Sequence, residues 1–364
     1  MLNEAALQAL ASFQAASDAA PVLSLYLNVD PLQRTTDTYK LALRHLLDSV
    51  DGVVPKEDRA RVERYVELEY DWQGRGLACF SCAAEDFWQA FPLRVPVDDQ
   101  VFVGRRPYIK PLSDLLDTYT RYGVVLVDRE GAHVFLFHLG ELEDVAGVAG
   151  EDVKRHKQGG WAAARFQRHE EETAYRTLKE AAEMVSDIVR RGQCRYLILG
   201  GTDENVARFA EVLPKHVQPL VVGTMNVDIT ASPAEVGEKS LAVIHQANAA
   251  RKQALVDQLV TTAAKGGPAA LGLKDTLMAV YAGRAHHLVV DDEAMAEAYR
   301  CDHCGYVDVE AAEACPLCGS SLRKLPDAVD SLVRWALTQG IDLTVVSSKE
   351  QRVDAGFVGA LLRY

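Results

Sequence analysis

The sequence predicts an α/β (α+β) fold in three domains, residues 1–119, 120–232 and 233–364. A chain of 364 residues is too long for one small core, because single-core domains usually have about 100–200 residues. Apolar runs typical of strands alternate with segments whose apolar residues recur at helical spacing. Four of the seven cysteines lie close together near the C-terminus, which predicts a separately stabilised insertion there.

The first domain is predicted to be a mixed α/β unit. Residues 22–29 alternate like a strand, whereas residues 39–50 and 59–70 carry leucine or valine at three-to-four spacing, as in helices. Residues 76–93 indicate a strand and a hairpin. Pro107 opens an extended connector that leads into a short helix.

The middle domain is predicted to be a mixed sheet flanked by helices. Two β-branched, apolar runs around residues 128–131 predict a hairpin, and residues 162–191 predict a long helix. A buried strand at 195–201, a helix at 205–213 and a strand at 219–225 follow. Continuous apolar strands that alternate with helices are typical of a sheet covered by helices.

The third domain is predicted to be α/β with an inserted cysteine-rich segment. One long helix is expected over residues 234–264, and strands over 286–292 and 341–348. A helix at 327–339 and a last strand at 359–364 complete the unit.

Composition and charge narrow the class of protein. The net charge of -13 argues against non-specific binding of nucleic acid over the whole surface. A local basic element remains compatible with it, because salt screens charges beyond about 10 Å. No apolar stretch approaches the roughly 18 residues needed to span a bilayer, and the first residues lack a basic n-region. We therefore expect a cytoplasmic protein without a membrane segment.

The cysteine cluster reads Cys301-x2-Cys304-x10-Cys315-x2-Cys318. Each C-x-x-C turn can aim two thiolates at one point, and two such turns supply a tetrahedron of soft ligands. The spacing predicts a closed structural zinc site in a ribbon over residues 299–322, and four reduced thiols are the alternative. His303 is expected to face solvent.

Cys79 and Cys82 form a further C-x-x-C pair inside an apolar, strand-like run. Alternation along a strand places them on opposite faces. They are therefore predicted to be buried small apolar residues rather than a redox or metal pair.

One purely basic stretch, KRHKQGGWAAARFQRH, occupies residues 154–169 and contains five lysine and arginine residues and no acid. Cations at this density can neutralise RNA phosphates, and an aromatic side chain at a loop tip can stack on a base. The alternative is a surface loop with an exposed tryptophan. The stretch contains these residues predicted to bind RNA: Lys154, Arg155, His156, Lys157, Arg165 and Arg168.

The same stretch resembles the catalytic-loop region of archaeal and eukaryotic class-1 peptide-chain release factors. Their basic run, Gly-Gly-Gln tip and following helix enter the peptidyl-transferase centre. The match covers the basic run, the glycine pair and Ala164-Arg165-Phe166. Similar segments occur in the family's order at residues 107–117, 195–201, 273–293 and 356–364. The resemblance implies a catalytic loop tip at Gly159, Gly160 and Trp161.

Two departures from the family shape the functional hypothesis. Trp161 stands where the family has glutamine, so the backbone N–H is kept and the side-chain amide is lost. The Asn-Ile-Lys-Ser tetrapeptide that the family uses to read stop codons is absent; residues 51–65 read DGVVPKEDRARVERY. The pattern is similar to the bacterial branch of the superfamily and to Pelota-type and Balon-type proteins, which bind the ribosomal A site in rescue or hibernation.

Three functional hypotheses follow. The favoured one is a monomeric A-site-binding translation factor for rescue, hibernation or non-standard termination. Its implied partners are rRNA, P-site tRNA and a translational GTPase. The second is a peptidyl-tRNA hydrolase or release factor that uses the loop backbone. The third is an RNA-binding protein that acts away from the ribosome.

Overall fold

The computed structural model describes residues 2–364 except residues 3, 18, 72–73, 129–130, 150–160, 193 and 326. The chain forms two compact units, one made of Met1–Asp117 with Ala249–Tyr364 and the other of Thr118–Asn248. Both units contain helices and sheets, which confirms the predicted α/β class. The boundaries at 119/120 and 232/233 stay a prediction.

The N-terminal part of the first unit is a four-stranded antiparallel sheet with helices, in the strand order β3-β2-β1-β4. The predicted strand, hairpin and helices of this segment are all present, whereas α1 and β4 were not predicted. The elements are α1 (Glu4–Ser12), β1 (Val22–Asn28), α2 (Thr36–Ser49), α3 (Lys56–Arg64) with a π-helical extension (Tyr65–Glu69), β2 (Gly76–Cys82), β3 (Phe87–Leu93), β4 (Gln100–Gly104) and α4 (Lys110–Thr118).

Helix α2 shows why these residues form their element. Thr35 and Thr38 make a reciprocal capping box that satisfies backbone N–H groups at the helix start. Leu43 and Leu47 then lie one turn apart on one face and are buried in the same cluster as Leu25 of β1. Local capping and burial of one apolar face therefore agree.

The second unit is a five-stranded mixed sheet in the order β7-β6-β5-β8-β9. Strand β5 pairs antiparallel with β6 and parallel with β8, so the predicted hairpin and strand–helix–strand segment share one sheet. The elements are β5 (Tyr122–Val127), β6 (Gly131–His138), β7 (Glu141–Ala149), α5 (Trp161–Gly192), β8 (Tyr196–Gly200), α6 (Asp203–Val212), β9 (Val221–Met225) and, through residue 248, the start of α7 (Pro233–Ala264).

Both faces of the centre of this sheet are buried. Val125 and Val127 of β5 pack on one side in a cluster with α5 and α6. Tyr122 and Val124 pack on the other side in a cluster with Val236 of α7. A strand covered on both faces needs apolar residues at every position, and β5 and β8 read as such runs.

Gly200 and Gly201 serve packing in this sheet. A Cβ on Gly200 would lie 2.4 Å from a methyl of Leu126, and one on Gly201 would lie 2.5 Å from the carbonyl oxygen of Val127. Gly201 also has φ of 143°, which L side chains rarely adopt. The absence of side chains at Gly200 and Gly201 therefore lets the end of β8 approach β5 closely.

The C-terminal part of the first unit is a second α/β sheet in the order β10-β16-β11-β15, with a small three-stranded sheet, β13-β12-β14, that forms the cysteine ribbon. Strands β11 and β15 are parallel, and β16 is antiparallel to both β10 and β11. The further elements are β10 (Ala269–Leu271), α8 (Leu273–Tyr281), β11 (Ala285–Asp291), β12 (Ala298–Cys301), β13 (Val307–Asp308), β14 (Leu322–Leu325), α9 (Ala328–Gln339), β15 (Asp342–Val346) and β16 (Val358–Leu362).

Two buried cations hold the N- and C-terminal segments of the first unit together. Lys110 donates from Nζ to the carbonyl oxygens of Asp291 at 3.2 Å and Ala294 at 3.0 Å. Arg334, which is 3% exposed, donates to the carbonyl oxygen of Ala11 at 2.9 Å and to that of Pro107. Removing either cation would leave buried carbonyl groups unsatisfied.

Candidate functional site

The basic stretch follows β7 in the sequence and continues into the first turns of α5. Six predicted site residues lie outside the described residues: Lys154, Arg155, His156, Lys157, Gly159 and Gly160. Trp161, Arg165 and Arg168 belong to the first turns of α5, where the backbone alone is described. The roles assigned to these nine residues therefore stay predictions.

Helix α5 is anchored through its C-terminal half. Leu178, Ala181 and Val185 are buried against the sheet at three-to-four spacing. Tyr175, one turn before Leu178, is 60% exposed. At 1.5 Å per residue, the start of the helix at Trp161 lies about 26 Å along the axis from Leu178.

The hairpin β6–β7 carries the other end of the basic stretch. Its turn places Leu139 and Gly140 at φ of 51° and 77°, as in the tight turns that suit the twist of paired strands. At the start of β7, Glu143 accepts from Nε and Nη2 of Arg121 at 3.1 and 3.2 Å. The start of β7 is therefore held by paired charges, six residues before the strand ends at Ala149.

The second candidate site is the cysteine ribbon. The sulfur atoms of Cys301, Cys304, Cys315 and Cys318 all lie within 4.8 Å of one another. Cys301 Sγ is 3.4 Å from Cys318 Sγ, and Cys304 Sγ is 3.6 Å from Cys315 Sγ. A tetrahedral zinc ion with Zn–S bonds of about 2.3 Å needs sulfur atoms about 3.8 Å apart, so this donor set fits such an ion.

Two similar backbone turns bring the thiols together. In one, the N–H of Gly305 donates to the carbonyl oxygen of Cys301 at 2.9 Å; in the other, Gly319 donates to Cys315 at 2.9 Å. The two glycines have φ of 79° and 75°, the left-handed conformation that glycine adopts without steric cost. The two C-x-x-C turns that the sequence predicts are therefore present, and they have the same geometry.

The thiols differ in how easily they ionise. The backbone N–H and hydroxyl of Ser320 lower the pKa of Cys318 to about 6. The backbone N–H of Tyr306 also lowers the pKa of Cys304, but desolvation and the neighbouring thiols outweigh it and raise that pKa to about 11. A cation among the four sulfurs would stabilise every thiolate at once.

Helix α8 positions the ribbon. Tyr281 packs edge-on against Tyr306 with ring centroids 5.7 Å apart, and its hydroxyl donates to the carbonyl oxygen of Cys304 at 3.4 Å. Lys274 and Glu310 form an exposed ion pair at 2.6 Å. His303 is exposed, as predicted, and does not belong to the sulfur cluster.

The other cysteines are buried. Cys79 and Cys82 lie in β2 and are 0% and 1% exposed, as predicted for small apolar residues. Burial raises the pKa of Cys79 far above its usual range and that of Cys194 to about 11. None of the three is part of a metal-ligand cluster among the residues that the structure describes.

Sequence reasoning did not single out two arginines beside the ribbon. Arg300 of β12 and Arg323 of β14 are directly opposite each other in the sheet. The available signal was that arginines flank the cysteine turns, one directly before Cys301 and one after Cys318. Their mutual position depends on strand register, which the spacing alone does not reveal.

Comparisons with known proteins place these features among relatives. Residues 107–245, which include α4, the hairpin and the basic stretch, match the bacterial archaeo-eukaryotic release factor family 10. Peptide chain release factor subunit 1 of Archaeoglobus fulgidus is 25% identical over 283 residues, 71% of this chain and 69% of that protein. The Thermococcus kodakarensis protein of the same name is 21% identical over 296 residues, 73% and 70% of the two chains.

Two solved structures are similar at lower identity. Archaeal Pelota, in a model of its ribosome-bound state with ABCE1, is 14% identical with a TM-score of 0.42 and covers 100% of this chain and 94% of its own. Dom34 of S. cerevisiae, a translation termination-like factor, is 11% identical with a TM-score of 0.41 over 81% of each chain.

Among the residues that the structure describes, no helix is both long and apolar enough to cross a membrane.

Proposed function

Because the chain is a release-factor-like protein, we propose that it binds the ribosomal A site as a translation factor in rescue, hibernation or non-standard termination. In this proposal the first domain approaches the decoding region. The middle domain carries Gly159, Gly160 and Trp161 to the peptidyl-transferase centre. The third domain contacts the ribosome near the stalk base or a translational GTPase.

The geometry of α5 is the observation that carries this proposal. Its C-terminal half packs on the sheet from Leu178 onward, and its start lies about 26 Å from Leu178 along the axis, next to the basic stretch. A helix of 32 residues can carry the basic stretch at its start this far from the packed Leu178, which suits delivery of a loop into a narrow channel. The five cations of residues 154–169 suit a channel lined by RNA phosphates.

Trp161 favours a non-hydrolytic role. In the release factors that the chain resembles, the glutamine at this position helps to place water against the ester of peptidyl-tRNA. Tryptophan keeps the backbone N–H and loses the amide, and its indole is suited to stack on an RNA base, worth about 1–3 kcal/mol. The alternative proposal is a hydrolase that works through the loop backbone alone.

Peptide release tests both forms of the proposal. Bacterial ribosomes with labelled peptidyl-tRNA in the P site and an empty A site are mixed with wild type, Gly160→Val, Trp161→Gln or the control Gly104→Val. We expect wild type to release little peptide and Trp161→Gln to release more. Release by wild type that Gly160→Val abolishes and Gly104→Val retains would instead establish the hydrolase.

Ribosome binding tests the part common to both forms. Replacing Lys154, Arg155 and Lys157 by glutamine should weaken co-sedimentation and flatten its salt dependence, by a slope of about 0.7–0.9 for each lost phosphate contact. The control replaces three exposed cations of the same unit, Arg190, Arg191 and Lys215, and should bind as wild type. A wild type that binds RNA but not ribosomes at low salt would favour the non-ribosomal alternative.

We also propose that the ribbon holds a structural zinc ion through Cys301, Cys304, Cys315 and Cys318. All four ligand positions would be filled by thiolates, so the ion would stabilise the fold and leave no site for substrate. Elemental analysis should find one zinc per chain, and Cys315→Ser should lower that content. A purified wild type without metal would contradict the assignment.

We also propose a subunit state and a mode of delivery for the chain. A cytoplasmic monomer delivered by a translational GTPase is what the resemblance implies. Sedimentation of the purified chain at micromolar concentration should give one species near 39.9 kDa. A stable dimer would contradict the monomeric form.

A further inference from the structure

A cavity of about 350 Å³ lies in the first unit, between the end of β4 and the base of the cysteine ribbon. Its volume falls within the range of small-molecule pockets. One wall is formed by residues 102–106 with Tyr108, and the other by Arg300, Arg323 and the residues that lead into α9. No feature used in the proposed function lies in this cavity.

Arg300 and Arg323 place two positive charges side by side in it. They are directly opposite on antiparallel strands β12 and β14, and like charges in such a pair destabilise a sheet. The Nε atoms of both are buried and make no hydrogen bond in the described structure. Arg323 forms an ion pair with Asp302 at 3.4 Å from Nε, but Asp302 is largely exposed and the contact does not complete a hydrogen bond.

Arg106 adds a third guanidinium from the opposite wall. Desolvation, followed by the charges of Arg334 and Arg300, lowers its pKa to about 10. Its guanidinium donates hydrogen bonds to a neutral partner, the amide oxygen of Gln14. This cation therefore shares the cavity with other cations and has a neutral hydrogen-bond acceptor.

Among the described residues, the two acids of the cavity do not form an ion pair with any of these three arginines, although the charge of Asp330 favours the protonated form of Arg106. Asp330 accepts from Arg334 at 2.8 Å. Asp327 uses one oxygen to cap α9, accepting from the N–H of Val329 at 2.9 Å, and its other oxygen is buried without a partner. The other cations are engaged elsewhere: Arg105 donates to carbonyl oxygens of Ala15, and Lys324 pairs with Glu297.

The remaining wall is apolar and aromatic. Phe102 and Tyr108 are stacked with ring centroids 3.7 Å apart, and both line the cavity together with Met295 and Leu325. A flat apolar ring and an anion are therefore both suited to the space. Guanidinium groups bind phosphate through paired N–H donors, and aromatic rings stack on nucleobases.

We propose that this cavity binds a nucleotide, with its phosphate held by Arg106, Arg300 and Arg323 and its base against Phe102, Met295 and Leu325. The phosphate would supply the acceptors that the two Nε atoms lack and separate the opposed charges of the ribbon. The nucleotide is either free or part of an RNA strand. This assignment does not depend on ribosome binding.

Calorimetric titration tests it with three probes: guanosine 5′-monophosphate, inorganic phosphate and a 5′-phosphorylated RNA hexamer. Arg300→Gln and Arg323→Gln should each weaken binding of the nucleotide about tenfold or more, since each removes charge-assisted bonds. Arg106 lies outside the ribbon, and Arg106→Gln should weaken nucleotide binding to a similar extent. The control Arg44→Gln replaces an exposed arginine outside the cavity and should bind as wild type.

Thermal unfolding without ligand separates a binding role from a structural one. If the arginines serve a ligand, Arg300→Gln should leave the Tm of the ligand-free protein unchanged or raised, because it relieves repulsion, with the metal content unchanged. The probe that binds more tightly, guanosine 5′-monophosphate or the RNA hexamer, shows whether the cavity takes a free nucleotide or part of an RNA strand. The proposal would be overturned if wild type bound neither the monophosphate nor the hexamer, or if all variants bound equally well. It would also be overturned if inorganic phosphate bound as tightly as the nucleotide.

Discussion

Two of the three C-x-x-C pairs of the chain, Cys79 with Cys82 and Cys301 with Cys304, have different backbone conformations. The first pair lies in the extended strand β2, where an odd spacing puts the side chains on opposite faces and both thiols are buried. The second lies in a turn closed by Gly305, and its thiols meet those of a second turn within 4.8 Å. The spacing alone therefore does not create a metal-ligand cluster, because the backbone conformation between the cysteines determines whether their thiols converge.

Removing the metal should produce the largest difference between the two pairs. Chelation, or Cys315→Ser, should abolish hydrogen-exchange protection over the ribbon, residues 298–325, because structural zinc contributes on the order of 10 kcal/mol to folding of such small modules. Hydrogen exchange by mass spectrometry measures this. Strand β2 should keep its protection, and a ribbon that stays protected after chelation would show that it folds without an ion.

A smaller effect is expected from serine in the first pair. Cys79→Ser should lower the free energy of unfolding by about 1–3 kcal/mol, since a buried hydroxyl without a partner is costly. Cys82→Ser is the matched control and should cost less, because Sγ of Cys82 already lies 3.4 Å from the carbonyl oxygen of Ala20. Urea denaturation measures both losses. A larger loss in Cys82→Ser than in Cys79→Ser, or a loss of zinc in either variant, would contradict this reasoning.

The smallest effect is expected at the turn itself. Gly305→Ala should weaken zinc binding about fivefold, the equivalent of ~1 kcal/mol for an L residue at positive φ. No atom lies within 4 Å of the new methyl group, so the backbone alone is tested. Competition with a chromophoric chelator measures the affinity. Gly104→Ala, which also points into open space but at ordinary φ, should change nothing; an equal loss there would refute the turn argument.

Much of the fold could be predicted from local patterns. Strand β1, the β2–β3 hairpin, helices α5 and α7 and the strands β8 and β16 lie where periodicity placed them. The resemblance to class-1 release factors is confirmed by the family match over residues 107–245 and by the archaeal relatives. These features are encoded by residues close in sequence, or by motifs preserved in order.

Other elements escaped prediction because partners distant in sequence create them. Strand β10 has three residues and exists through pairing with β16, about ninety residues later. Strand β4 pairs with β1 across the first sheet and carries no strong alternation of its own. Short strands depend on neighbours for their hydrogen bonds, so local propensity is a weak guide to them.

Spacing along the chain alone accounts for the positions of the long helices, for the alternation of strands and helices, and for the pattern of Cys301, Cys304, Cys315 and Cys318 that predicts a metal site. Tertiary structure decided which side chains face one another. It placed Arg300 opposite Arg323 and brought both to a cavity shared with Phe102. Register and packing across about two hundred residues create that juxtaposition, and no local pattern contains it.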